Sequence, residues 1–169
     1  HQNLLRKAGV AADKSIADAT YLVENTSTTL ISPAQYKRYC FPHITAYGNV
    51  IEGTGKRVIL HMCGHLKGLL EQLNQLPVHA FEAFTSPTVG NTPLPMGREA
   101  CPEICLIGGT NAMLWLKPAN EIIAKIEADL DELPHHRGIA VTSAGVMPPL
   151  ATPDTIKAVG DWVKTYPLK

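Results

Sequence analysis

Apolar residues in this chain fall into short runs, several of them followed by stretches with apolar positions three and four apart. RVILHMC (57–63) and EICLIGG (103–109) are continuous apolar runs, the pattern of a strand covered on both faces. ADATYLVE (17–24), VHAFEAF (78–84) and GIAVTSA (138–144) read as three further strands. HLKGLLEQLNQL (65–76) places Leu66, Leu69, Leu70 and Leu73 at helical spacing, and PANEIIAKIEADLDEL (118–133) is an amphipathic helix. Ser32-Pro33 and Thr152-Pro153 read as helix starts, with proline at the first helical position. Residues 1–8 are expected to be helical and to stop at Gly9, and Pro42 to kink or break the helix that follows Pro33.

Strands that alternate with helices imply a parallel sheet, because parallel neighbours need a crossover between them. An open doubly wound sheet and a (β/α)8 barrel both satisfy this order, and both bind ligands at the carboxyl ends of the strands. GGTNAM (108–113) does not match the G-x-G-x-x-G fingerprint of dinucleotide binding, which counts against a nucleotide-binding sheet.

Composition narrows the function classes. Of 169 residues, 45% are apolar and 18% charged, an ordinary globular balance. Fifteen basic and 15 acidic residues cancel, and neither sign forms a long run, so neither nucleic acid nor a membrane surface is expected as partner. No apolar run reaches the roughly 18–20 residues that cross a bilayer. Four cysteines, irregularly placed, do not make a secreted disulfide scaffold, so a cytoplasmic location is expected.

The polar residues at the predicted strand ends carry the candidate chemistry. They are Glu24 and Asn25, then His61, Cys63 and His65, then Glu82, Asn111 just beyond Gly108 and Gly109, and Thr142 with Ser143. In a parallel sheet these groups converge on one rim. Residues two apart on a strand share a face, so His61 and Cys63 point the same way, and a His–Cys pair suits zinc. A carboxylate between Phe81 and Phe84 is costly to bury unless it is paired or ligating, which singles out Glu82. Cys40 and Cys105 read as core residues, and His135-His136, after Pro134, as a solvated pair.

Four segments, in order, resemble the uroporphyrinogen decarboxylase superfamily, in particular its cobamide-dependent methyltransferase branch. They are ISPAQYKRYCFPHI, RVILHMCG with its H-x-C-G ending, EICLIGGTNAMLWL, and SAGVMPPLATPDTIKAV. The resemblance implies a parallel (β/α) barrel of TIM type with only about five of its eight β/α units in this chain, so that residues 1–169 form the C-terminal part of one barrel domain. The missing barrel half, in a larger protein, is then expected to cover the open edges. The alternative is that another chain does so.

The resemblance also implies chemistry. In the methyltransferase branch, the His and Cys of H-x-C-G and a second Cys at the last strand hold zinc; His61 and Cys63 match the first two. The second Cys falls at about Ser143 or Ala144 and is missing, so Glu82 is the expected third ligand, with His65 behind it. Glu82 and Ser143 are expected to act in catalysis, and Asn111, Gly108 and Gly109 to bind the cofactor. The implied activity is zinc-assisted methyl transfer to or from a cobamide, presented by a corrinoid protein, with a small methylated substrate. One alternative is a non-catalytic barrel that binds a small ligand or a corrinoid protein. A decarboxylase is a weaker alternative, because the "N-L-G-H-G" segment of true uroporphyrinogen decarboxylases reads VTSAGVM here.

Overall fold

Five strands, β1 (Ala19–Val23), β2 (Arg57–His61), β3 (Ala80–Phe84), β4 (Cys105–Gly109) and β5 (Ile139–Thr142), lie side by side in that order in a computed structural model that describes residues 2–169. Every neighbouring pair is parallel. The order never reverses, as it does at the switch point of a doubly wound sheet. It is the order of consecutive units in a (β/α) barrel.

The register sorts the strand residues onto two faces. Leu22, Val58, Leu60, Phe81 and Leu106 share one face, and the last four of these are fully buried. Helix residues Ile44, Ile51, Leu73, Leu94, Ile122 and Val159 join the same core cluster. The opposite face carries Tyr21, Val23, His61, Glu82, Cys105 and Ala140, of which Tyr21 is 51% and Val23 59% exposed. Among the described residues only one face of the sheet is covered, which is how barrel strands look from inside without their facing strands. Apolar clefts run beside both outer strands: Ile139, Val141, Trp162 and Tyr166 line one, and Leu4, Leu22, Ile44 and Tyr47 the other.

The helices are α1 (Gln2–Lys14), α2 (Pro33–Gln35), α3 (Phe41–Glu52), α4 (Leu70–Leu73), α5 (Leu94–Ala100), α6 (Ala119–Asp131) and α7 (Pro153–Val163). Ser32 caps α2 in a reciprocal capping box with Gln35, and the Thr152 side chain caps α7. A π-helical turn, Tyr36–Cys40, joins α2 to α3, so the chain passes Pro42 without breaking.

Two expectations are corrected. Helix α1 does not stop at Gly9: a Cβ there would lie 2.8 Å from Val50 Cγ1, so this glycine serves close packing of α1 on α3. Residues 65–76 form a 3₁₀ turn, Lys67–Leu69, and the single turn α4 rather than one long helix. Leu66, Leu69, Leu70 and Leu73 are all buried, so their spacing reports burial correctly while the turns that deliver it are tighter. No helix among the described residues is long and apolar enough to cross a membrane.

Candidate functional site

Three neighbouring strands each deliver one polar side chain to the open face near the carboxyl end of the sheet. His61 ends β2 and stands in register with Val23 on β1 and Glu82 on β3. His61 Nδ1 lies 2.5 Å from Glu82 Oε2 and 2.7 Å from the Tyr21 hydroxyl, and that hydroxyl donates to Glu82 Oε2. The His61 and Glu82 side chains are 19% and 24% exposed, while Tyr21 beside them is half exposed on the open face. Burial, the hydrogen bond to Glu82 and the negative charge of that carboxylate push Tyr21 up to about 12. Tyr21 is therefore a neutral donor at physiological pH.

Backbone geometry beside the cluster is specific. A register shift between Glu82 and Phe84 places Ala83 at φ 59°, a bulge directly after the carboxylate. After β2, Gly64 has φ 90°, and a Cβ on it would lie 2.8 Å from Ser27 Oγ. Ser27 Oγ accepts from the His65 N–H at 3.0 Å, while the His65 carbonyl accepts from the Thr28 N–H at 2.9 Å and from its hydroxyl at 3.0 Å. The loops after β1 and β2 are thus tied together, and the backbone of His65 is part of the tie.

The other expected site residues fall elsewhere. Cys63 Sγ is 3.6 Å from Asn25 Oδ1, partly buried at the rim. Asn111 is buried; its amide donates to Ser86 Oγ and the Pro87 carbonyl, and its Oδ1 accepts from the Leu114 N–H. That leaves it a loop-bracing role in this structure. Gly108 and Gly109 allow close packing: a Cβ would lie 2.4 Å from Phe84 O at the first and 2.4 Å from Leu94 Cδ1 at the second. Ser143 donates to the Gly145 carbonyl at 2.6 Å in the turn after β5, with two strands between β5 and β2.

Zinc is the metal that the barrel family implies, and the donor geometry tests it. Imidazole and carboxylate donors on one tetrahedral zinc stand roughly 3.3 Å apart, given metal–donor lengths near 2.0–2.2 Å. The 2.5 Å between His61 Nδ1 and Glu82 Oε2 is a hydrogen bond, with no room for an ion between these two atoms. Among the described residues, no group of three or more His, Cys, Asp or Glu side chains is placed to hold a metal ion. His61 Nδ1 and Glu82 Oε2 are therefore hydrogen-bond partners here and not two donors to one ion, while a carboxylate on Nδ1 leaves His61 Nε2 available, as in a ligating histidine with an outer-shell carboxylate.

Two core and surface readings are reversed. Cys105 is exposed, because register with Ala80 puts it on the open face. His136 is buried rather than solvated: Nε2 lies 3.2 Å from the Leu130 carbonyl, and Nδ1 accepts from the Lys169 N–H at 3.1 Å. Cys40 is half-buried and packs against the core. Tyr21 was missed by the sequence reading; its alternation with Leu22 signals only that it faces away from the core, and its partners come from two other strands.

The family model described as uroporphyrinogen decarboxylase (URO-D) matches residues 7–166. No curated protein matches the chain. The match spans all five strands, six helices and most of α1, including the turn that carries His61 and Cys63. A one-way parallel sheet, with its polar cluster at the carboxyl end of the strands and a family model running from α1 to the end of the chain's last helix, has one reading: the chain belongs to the uroporphyrinogen decarboxylase (URO-D) family.

Proposed function

We propose that the protein is a methyltransferase of this superfamily, moving a methyl group between a small substrate and a corrinoid presented by a partner protein. The observation that carries this reading is the H-x-C-G sequence at the end of β2, with His61 on the open face and Cys63 at the rim. The corrinoid is the other reactant; this chain's residues orient the small partner and handle its proton. A heteroatom that loses a methyl group must gain a proton, and one that gains a methyl must lose one. Tyr21, His61 and Glu82 form a hydrogen-bonded group suited to that exchange.

The test is methyl transfer between a reduced corrinoid protein and a panel of methoxy-aromatic, methylamine and thiol compounds, followed by the corrinoid's visible absorbance. Methylation that depends on the enzyme and on one substrate class supports the reading, and none across the panel overturns it. A non-catalytic, ligand-binding barrel is the second reading. It is favoured by the lack of a three-donor metal group among the described residues. Binding of corrinoid protein without turnover distinguishes it from the first.

A further inference from the structure

A cavity of about 660 Å³ lies between α5 and the turn that follows α6, away from the His61 cluster. Its volume is in the range of small-molecule sites. Helix α5 joins β3 to β4 and α6 joins β4 to β5, so the walls come from consecutive units of this chain and not from an open edge of the sheet. Pro95, Met96, Pro102 and Pro134 make much of the wall apolar, and the fixed backbone of the prolines makes it stiff.

Two polar groups in that wall have unmet hydrogen-bonding capacity. Arg98 is 4% exposed, and its two terminal nitrogens donate to the carbonyls of Cys101, Pro102, Ile104, Arg137 and Gly138. Its Nε is buried without an acceptor, and among the described residues no carboxylate pairs with the guanidinium. A buried N–H without an acceptor and a buried cation without a counter-charge both cost free energy, and an anion relieves both. His135 Nδ1 is likewise buried without a partner, and in either tautomer that nitrogen needs one.

Glu99 and Glu132 line the same cavity, are exposed, and join no ion pair among the described residues. One guanidinium against two carboxylates leaves the lining net negative with histidine neutral. A simple anion is drawn to the wall and repelled by the two carboxylates, and a simple cation meets the reverse. A molecule with both charges satisfies both.

We infer that this cavity is a binding site for a small zwitterion, an α-amino acid with an apolar side chain. Its carboxylate meets Arg98 and His135, its ammonium faces Glu99 and Glu132, and its side chain lies against the prolines and Met96. Arg98 Nε is screened from water, so a hydrogen bond made there is not weakened by competition from solvent. The site shares no residue with the Tyr21, His61 and Glu82 cluster and stands or falls independently of methyl transfer.

The test is an NMR titration of the whole chain with L-leucine, following the Arg98 Nε–H signal and the His135 ring. Both are expected to shift saturably in the wild type. L-Leucine methyl ester, which lacks the carboxylate, and N-acetyl-L-leucine, which lacks the ammonium, are each expected to bind about tenfold more weakly or worse, for the loss of one charge-assisted bond. Arg98 also braces the fold, so the variants are made at the two exposed carboxylates. Glu99→Gln combined with Glu132→Gln is expected to weaken L-leucine about tenfold and to erase its advantage over N-acetyl-L-leucine. No saturable shift in the wild type, equal binding of the three compounds, or unchanged selectivity in the folded double variant overturns the proposal.

Discussion

Tyr21 is in register with Ile59, two residues before His61, yet its hydroxyl ends 2.7 Å from His61 Nδ1. The phenol ring spans one diagonal step of the sheet, a reach open to long aromatic side chains on neighbouring strands. The two rings are 5.9 Å apart between centroids and tilted by 52°, so the contact is made by the hydroxyl and not by stacking.

His61 is therefore expected to matter more for turnover than for binding. His61→Ala should lower methyl-transfer kcat by about 10²–10⁴-fold, the usual contribution of a positioned proton donor, with KM little changed. Cys63→Ser should leave zinc content the same as in the wild type, measured by elemental analysis after dialysis against zinc. One zinc per chain in the wild type, lost in Cys63→Ser, would instead show Cys63 to be a ligand, with His61 Nε2 the nitrogen left free to join it.

Tyr21 titrates late, at about 12 against its ordinary 10.0, because burial and Glu82 disfavour the phenolate. Its folded-state value is raised, so its contribution to stability is complete below pH 10 and is lost as pH rises towards 12. Urea unfolding should show stability falling across that window. The fall should be shallower in Tyr21→Phe, with a remainder from Tyr36, whose hydroxyl is raised still further by burial and by Glu24. Equal slopes in the two proteins would separate Tyr21 from the cluster.

Gly64→Ala should destabilise the protein by about 1–3 kcal/mol, the cost of a strained left-handed backbone. The added methyl also meets Ser27 at 2.8–3.0 Å, where the loops after β1 and β2 are joined. Thermal unfolding reads the loss. The same substitution at Gly145, whose Cβ position meets nothing within 4 Å, is the control for backbone conformation alone.

Arg98 is 4% exposed, and its guanidinium donates to the carbonyls of Cys101, Pro102, Ile104, Arg137 and Gly138. It holds together the chain segments that lead into β4 and β5. Arg98→Ala should cost more than ~2 kcal/mol, because several buried carbonyls lose a charged donor at once. Arg98→Lys should recover little, since an ammonium lacks the planar fork that reaches five oxygens. Chemical denaturation of both variants checks this, and full recovery by lysine would show that charge alone suffices.

The five strands were legible along the chain because each is a compact apolar run, and the caps at Ser32 and Thr152 because capping is local. Their alternation with helices was enough to require a parallel sheet. What periodicity could not say is which face of that sheet stays open: the runs at 57–63 and 103–109 look covered on both sides, yet Cys105 is exposed. A run of apolar residues looks the same whether helices or the opposing strands of a barrel cover its second face.

The candidate site divides along the same line. His61, Cys63 and Glu82 could be picked out by residue type and place on their strands, since a strand end in a parallel sheet is a ligand rim. Which atoms meet was decided by register. A pairing of β2 with β3 that sets His61 opposite Glu82 turns an expected ligand into a hydrogen-bond partner, and a pairing of β1 with β2 brings in Tyr21 from outside the expected set. Side chains alternate faces with every residue, so a one-residue slip in either pairing would send these groups to opposite sides of the sheet. The sequence alone determined the strands and the kinds of chemistry available; contacts between residues 21 to 61 positions apart exist only in the assembled sheet.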